Sequence, residues 1–495
     1  MRERLLSRNS ASTSFVIRKL FLVVVLLLGS SAIASAQRDP GPRSGPSDAG
    51  GPIRGLSPEE EKLFWSSWER FKKIYSVTGS IEKGVGLGPR FNGNGCAQCH
   101  AQPAAGGSSS SPRSAQVRRL VMRDQYAILD SESNPQVLLA SLDRAPGGSQ
   151  SIPSFIVVDG PIRVARFIKK PDGTPDGGVH EIYTIAGRVD ARDCNLSQPN
   201  FDKEVANNNV VFRIPTPTFG AGLIEAVPDS ALIANLNLTV VQRRALGIAG
   251  RFNRTANDGT ISRFGWKAQN KSLLIFAAES QNVEMGVTNE AFPDKRDQTP
   301  GCLFNALPED RIKAQLPPNE TYGPSAFSSD AVSFATFMRL LAPPTASTRT
   351  ASESSGQVLF AQVGCTLCHS ADLETGESTF SGMSHIKIHP YSDFALHHMG
   401  PDLADHISQG LASGDEFRTT PLWGLGQRLF FIHDGRTTDL QAAIQAHASS
   451  DSHCRTTFHF TGDEVCGSEA NVVILRFNAL SSTQKQDILN FLRSL

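Results

Sequence analysis

Two short segments of this chain each bring a pair of thiols and an imidazole together: Cys96-Ala97-Gln98-Cys99-His100 and Cys365-Thr366-Leu367-Cys368-His369. Two cysteines two residues apart with a histidine directly after them form the attachment pattern of haem c. The thiols make thioethers to the vinyl groups, and the histidine is placed to bind iron from one face. A bare Cys-x-x-Cys would also suit a redox dithiol or half of a zinc site. The adjacent histidine, the repetition and an export signal described below favour haem. What such haems do depends on the opposite face of each iron. Two strong protein ligands make an electron carrier, whereas an open face permits chemistry on a bound small molecule. Among the other histidines, His447 follows Leu440 and Ile444 at helical spacing and so points where the apolar residues point. Alone, it reads as a hydrogen-bonded core histidine. Beside a haem that needs a sixth ligand, it reads as that ligand.

These residues need a scaffold. A chain of 495 residues exceeds a single hydrophobic core, so at least two domains are expected. With 39% hydrophobic and 19% charged residues the composition is that of an ordinary soluble protein. The 48 basic and 48 acidic residues balance, which gives no ground for nucleic-acid binding. Arg18 and Lys19 precede the apolar run Phe21 to Leu28, and Ala34-Ser35-Ala36 supplies a cleavage site, so residues 1–36 read as a signal peptide directing the protein to the periplasm. The run is shorter than the roughly 20 residues of a spanning helix, and cleavage is expected to leave no transmembrane anchor. It would remove five basic residues and Glu3, leaving 43 − 47 = −4.

Residues 37–56, rich in Pro, Gly and Ser, read as a disordered linker. Ser57-Pro58-Glu59-Glu60-Glu61 then starts a helix whose apolar face carries Phe64, Trp68, Phe71 and Tyr75. The expected fold is mainly α, with two cytochrome c-type haem domains over residues 57–344 and 356–495. A β-rich insertion is expected at about 115–220, on the runs Phe155 to Val158, Ile182 to Ile185 and Val210 to Ile214. Helical patterning resumes near Ser230 and continues to Leu341. Pro343-Pro344 and the polar stretch Thr345 to Ser355 read as the interdomain linker. A last helix is marked by Ser481 and Gln484 in capping-box spacing. Outside the two motifs stand Cys194, Cys302, Cys454 and Cys466, an even remainder that in an oxidising compartment implies disulfides. Cys454 and Cys466 are near enough in sequence to close a small loop.

Further phrases carry a family resemblance. His433-Asp434-Gly435, followed fourteen residues after its histidine by His447, resembles the bacterial di-haem cytochrome c peroxidase superfamily. There that second position is a Met, or a Tyr in the enzyme that matures the tryptophan tryptophylquinone cofactor. Phe91-Asn92, Gly222-Leu223-Ile224-Glu225-Ala226, Phe264-Gly265-Trp266-Lys267-Ala268, Leu396-His397-His398-Met399-Gly400-Pro401 and Thr420-Pro421-Leu422-Trp423-Gly424 are similar to the di-haem oxidoreductase, thiol-oxidoreductase-like branch, from about residue 57 to the C-terminus. The resemblance implies a catalytic distal acid at Glu284 and a tryptophan between the haems at Trp266. By residue type alone these read as a solvated acid and a core aromatic. Where the peroxidases offer backbone oxygens of a Thr and a Pro to calcium, this chain has Arg428 and Phe430, so calcium is doubtful. No residue clearly matches the distal histidine of some peroxidases, although His180 is available.

The function implied is that of a periplasmic di-haem peroxidase-like oxidoreductase. The N-terminal haem, on Cys96, Cys99 and His100, would take hydrogen peroxide, and Glu284 would move its proton. The C-terminal haem, on Cys365, Cys368, His369 and His447, would receive electrons from a small redox protein, a cytochrome c or copper protein, and pass them through Trp266. A non-enzymatic electron-transfer cytochrome with both irons six-coordinate is the alternative, and an oxidase of an organic or sulfur substrate is a third reading.

Overall fold

A computed structural model describes residues 37–79, 84–111, 153–157, 159–187, 191–305, 309, 329–449 and 467–495. Its first helix, α1 (Pro58–Lys72), is set by its own sequence. The Ser57 side chain accepts from the Glu60 N–H, the Glu60 carboxylate accepts from the Ser57 N–H, and Pro58 occupies the first turn. Its buried Phe64 and Phe71 pack on Phe337, with ring centres 5.6 and 4.4 Å apart. The first thiol pair forms the short α2 (Cys96–Cys99). Then come α3 (Phe201–Ala206), α4 (Ala221–Glu225), α5 (Asp229–Leu238), α6 (Val240–Ala245), α7 (Leu273–Met285) and α8 (Asp330–Leu340). The C-terminal part adds α9 (Ala351–Val363), α10 (Leu440–Gln445), α11 (Asn471–Asn478) and α12 (Ser482–Ser494). The chain is thus mainly α, and no helix of the described residues is long and apolar enough to cross a membrane.

The strands are short: β1 (Arg90–Phe91), β2 (Val164–Phe167), β3 (Val179–His180), β4 (Tyr183–Thr184), β5 (Val210–Arg213), β6 (Leu373–Glu374), β7 (Lys387–Ile388), β8 (Leu396–His398) and β9 (Glu416–Arg418). Within the expected insertion, β2 is the centre of an antiparallel sheet in the order β3-β2-β5, with Arg166 opposite Val179 and Val164 opposite Arg213. Residues 112–152 of that insertion lie outside the described residues. Over residues 155–157 the run is not a strand, and Val158 lies outside the described residues. Pro153 O accepts from Ile156 N–H in a turn, yet Phe155 is buried between Phe201 and Phe212. Its apolar character reflected burial, while the flanking Pro153, Gly160 and Pro161 kept the backbone out of a ladder.

Two boundaries differ from expectation. Residues 37–56 are not a free lead-in: Asp39 accepts from Arg493 Nε (2.7 Å) and Nη2 (2.6 Å), Arg43 N–H donates to Gly426 O, and Ile53 N–H to Leu340 O. Ile53 and Leu56 are buried. A polar composition understates order when backbone groups and one carboxylate find partners elsewhere. The linker is also shorter than Thr345 to Ser355. Thr350 and Glu353 form a capping box that starts α9 at Ala351. There Gly356 lets α9 meet α12, since a Cβ would collide with the Asp487 carbonyl. The capping box at Ser481 and Gln484 is present on α12. The larger core is not confined to residues 57–344, because Leu373, Ile388, Phe394 and Trp423 pack into it. Cys194 and Cys302 are disulfide-bonded, whereas the loop proposed for Cys454 and Cys466 lies outside the described residues.

Candidate functional site: two cavities sharing a tryptophan

Each thiol pair opens onto a cavity. The C-terminal one, about 210 Å³, is lined by Cys365, Cys368, His369 and His447 among largely apolar side chains. His369 follows a short 3-10 turn at Cys365–Leu367, and its Nδ1–H donates to Tyr391 O at 2.9 Å. His447 lies just past α10, in the turn after Gln445, and its Nδ1–H donates to Ala443 O at 2.8 Å. A carbonyl only accepts, so in both rings the proton is on Nδ1 and Nε2 keeps its lone pair, the arrangement metal-binding histidines favour. Burial pushes His369 down to about 4 and also lowers His447, which keeps both rings neutral. The ring centres are 6.5 Å apart. A metal-bound imidazole nitrogen lies about 2 Å from the metal, with the ring centre roughly 1 Å behind it, so two rings on one iron would be separated by about 6 Å. The donor set therefore fits a haem held between two histidines.

His397 and Met399 line the same cavity. Both nitrogens of His397 are committed, Nδ1 to Glu469 (2.7 Å) and Nε2 to Asp393 (3.1 Å). Burial works against its charge, but Cys368, Asp393 and Glu469 outweigh that and hold the ring well above the ordinary histidine range. It has no lone pair to offer a metal.

The N-terminal cavity, about 190 Å³, is lined by Cys96, Cys99, His100, Trp266, Arg166 and Glu284, among others. His100 Nδ1–H donates to Gly107 O at 3.0 Å, and burial, against the opposing pull of the Gly107 and Thr216 backbone, lowers the ring to about 4, which keeps it neutral. Among the described residues lining this cavity, His100 is the one histidine, while Met285 and Met338 are the thioethers. His180 is elsewhere, stacked on Phe167 and paired with Asp176. Glu284, near the end of α7, accepts from Asn92 Nδ2 at 2.9 Å. Asn92 is held in turn, its Oδ1 accepting Ile182 N–H and its own N–H donating to Glu284 O. Burial raises the Glu284 carboxyl above its usual range, against the opposing pull of the Asn92 hydrogen bond and the Arg166 charge.

Trp266 lines both cavities. Its Nε1–H donates to Ile214 O at 2.8 Å, and it meets His433 edge to face at 6.3 Å. His433, from the His-Asp-Gly phrase, stacks on Phe417 at 4.3 Å. The Arg428 carbonyl accepts from Arg493 Nη1 at 3.1 Å. Asn92, Arg166 and Arg418 have no role in the sequence reading, and Arg428 enters it only as a departure at the calcium position. Only Asn92 left a signal, inside the Phe91-Asn92 phrase.

A mainly α chain in which two thiol-pair turns and their histidines each face a cavity has the architecture of a protein with two haem sites. Residues 168–464 match the family described as "Di-haem oxidoreductase, putative peroxidase". The chain belongs to that family, and haem is its implied cofactor. The matched span holds Trp266, Glu284, the second thiol pair and His447, and begins after Cys96–His100. A solved structure of a MauG-like protein associated with microbial copper homeostasis is similar at 17% identity, over 57% of this chain and 90% of that one, with a TM-score of 0.27. A likeness of that size supports no structural conclusion. No curated protein matches the chain.

Proposed function

We propose that this protein is an exported, periplasmic di-haem peroxidase that reduces hydrogen peroxide with electrons from a small redox protein. Cys96 and Cys99, and Cys365 and Cys368, would hold the two haems by thioethers, and His100, His369 and His447 would bind their irons. The observation that supports the reading is the asymmetry of the cavities: one presents two imidazoles 6.5 Å apart, and the other one imidazole and a partly buried carboxyl. Haem iron supplies the redox equivalents and, where a face is open, a site for a peroxide oxygen. Glu284 would take the proton from one peroxide oxygen and return it to the other, as a general acid–base requires of a carboxyl within reach. Its raised pKa brings both protonation states nearer neutral pH, and Asn92 fixes its orientation. Trp266, in the wall of both cavities, would be the relay between them.

Electron spin resonance of the oxidised protein, with stopped-flow mixing of the reduced protein and peroxide, tests this. One low-spin haem, one exchangeable haem and rapid oxidation are expected. Glu284→Gln keeps size and hydrogen bonding but cannot cycle a proton, so it should slow the step by about 10²–10⁴. Two six-coordinate haems in both the oxidised and half-reduced states, with no turnover, would leave the carrier reading in place, with Met285 or Met338 closing the N-terminal iron.

A further inference from the structure

Among the described residues, most deeply buried guanidiniums face a carboxylate. Arg213 has Asp405 at 2.6 Å, Arg243 has Asp393 at 2.9 Å, Arg493 has Asp39 at 2.6 Å, and Arg263 has Asp229. Two in the wall of the C-terminal cavity do not. Arg418 and Arg428 are each 7% exposed, and both line the cavity. Arg418 Nε–H donates to Gly265 O at 2.9 Å, a neutral carbonyl. Burial lowers both side chains to about 10; Arg418 is lowered further by the charge of Arg428, and no anion acts on either. Both remain charged at neutral pH. Two adjacent buried like charges without a counter-ion are costly, and haem carries two carboxylate side chains.

We infer that Arg418 and Arg428 are the anion-binding end of the C-terminal cavity and receive the carboxylates of the haem attached at Cys365 and Cys368. Arginine suits the task because its planar fork matches a carboxylate. The position follows from the fold. Arg418 ends β9, with its N–H donating to Trp266 O (2.9 Å), and Arg428 closes the turn after Leu425–Gln427. Both lie in the wall that also holds the shared tryptophan. The pair would keep the carboxylates ionised and add positive charge beside the iron. This favours the reduced form of this haem over the same haem without them.

The inference rests on haem occupancy of this cavity and not on peroxide chemistry, so a protein inert to peroxide still tests it. Optical redox titration of the haem-loaded protein resolves the low-spin C-terminal haem from its neighbour. Arg418→Gln and Arg428→Gln should each shift its reduction equilibrium on the order of tenfold toward the oxidised form, about 59 mV for one electron. The N-terminal haem should stay where it is, and Arg→Lys should restore much of the shift. A second measurement needs only the wild-type protein. With the carboxylates clamped, the C-terminal midpoint should be flat between about pH 5 and 7.

Other titratable groups stand around the cavity. His433 is lowered to about 4 by burial and His397 is held well above the ordinary range. Asp393 is lowered, against burial, by His397 and Arg243, and Glu469 is paired with His397. Lys267, lying over Phe417, is lowered to about 8 by burial, and His398, on the neighbouring face of β8, is raised by its hydrogen bond to Asp415. A wild-type midpoint that falls steadily with pH in this window, or glutamine variants with unshifted midpoints, would overturn the assignment. Haem missing from Cys365 and Cys368 by mass spectrometry would instead refute the occupancy on which it rests.

Discussion

Replacing Asn92 by Ala tests whether Glu284 is the acid–base group, through a residue that does not itself exchange a proton. Asn92 Nδ2–H donates to Glu284 Oε2 at 2.9 Å. A hydrogen bond to a charged acceptor is worth about 1.5–3 kcal/mol, and one pKa unit corresponds to about 1.4 kcal/mol. Losing the bond should raise the Glu284 carboxyl further, on top of the rise that burial already causes. The carboxylate must be ionised to accept a proton, so the acidic limb of the peroxide reaction follows that pKa. In the variant this limb should move to the alkaline side, with the rate recovering at high pH. A raised carboxyl pKa also means that folding stability is fully present below the unfolded pKa and falls as pH rises through the folded one. The variant should extend that loss to higher pH. Truncation also strands the Ile182 N–H that Asn92 Oδ1 accepts, at about 1–3 kcal/mol, so melting must confirm a folded protein. The assay is stopped-flow oxidation of the reduced protein across pH. An acidic limb that stays in its wild-type position, in a variant that melts cooperatively, refutes the role given to Glu284.

Two further outcomes follow from the geometry. His447→Ala should convert one low-spin haem to high-spin while both haems remain attached; an unchanged low-spin signal would give that iron to Met399, since both His397 nitrogens are occupied. Asp39→Ala removes one partner of an ion pair whose side chains are 6% and 4% exposed, at a cost of up to about 3–5 kcal/mol, readable by denaturant titration. Burial raises the Asp39 carboxyl, but Arg493 and the Gly41 and Leu440 N–H groups outweigh it and hold its pKa down. Wild-type stability from this group is therefore present above the unfolded pKa and lost as pH falls through the folded one, and the variant should lack that part of the acid dependence.

What the sequence made legible was local. Ser57 with Glu60, and Ser481 with Gln484, announce helices because a capping box lies within four residues. The thiol pairs and His447 were legible for the same reason, each a spacing on one short segment. Thr350 and Glu353 carry the same capping signature, but Pro343-Pro344 and the polar run after them mask it, and the helix begins within the stretch that composition marks as linker. The lead-in was misread because its order comes from residues hundreds of positions away: Asp39 is fixed by Arg493, and Ile53 by Leu340. The site divides along the same line. Glu284 and Trp266 came from a resemblance, and nothing in local pattern joins Asn92 to a carboxyl 192 residues later. Arg418 and Arg428 are harder still. A buried arginine and a solvated one are the same letter, and most buried arginines here are neutralised by a partner. Only a three-dimensional account of which charges have partners separates the two that, among the described residues, face no carboxylate. That account makes them the side chains in the C-terminal cavity whose chemistry is incomplete without an anionic cofactor.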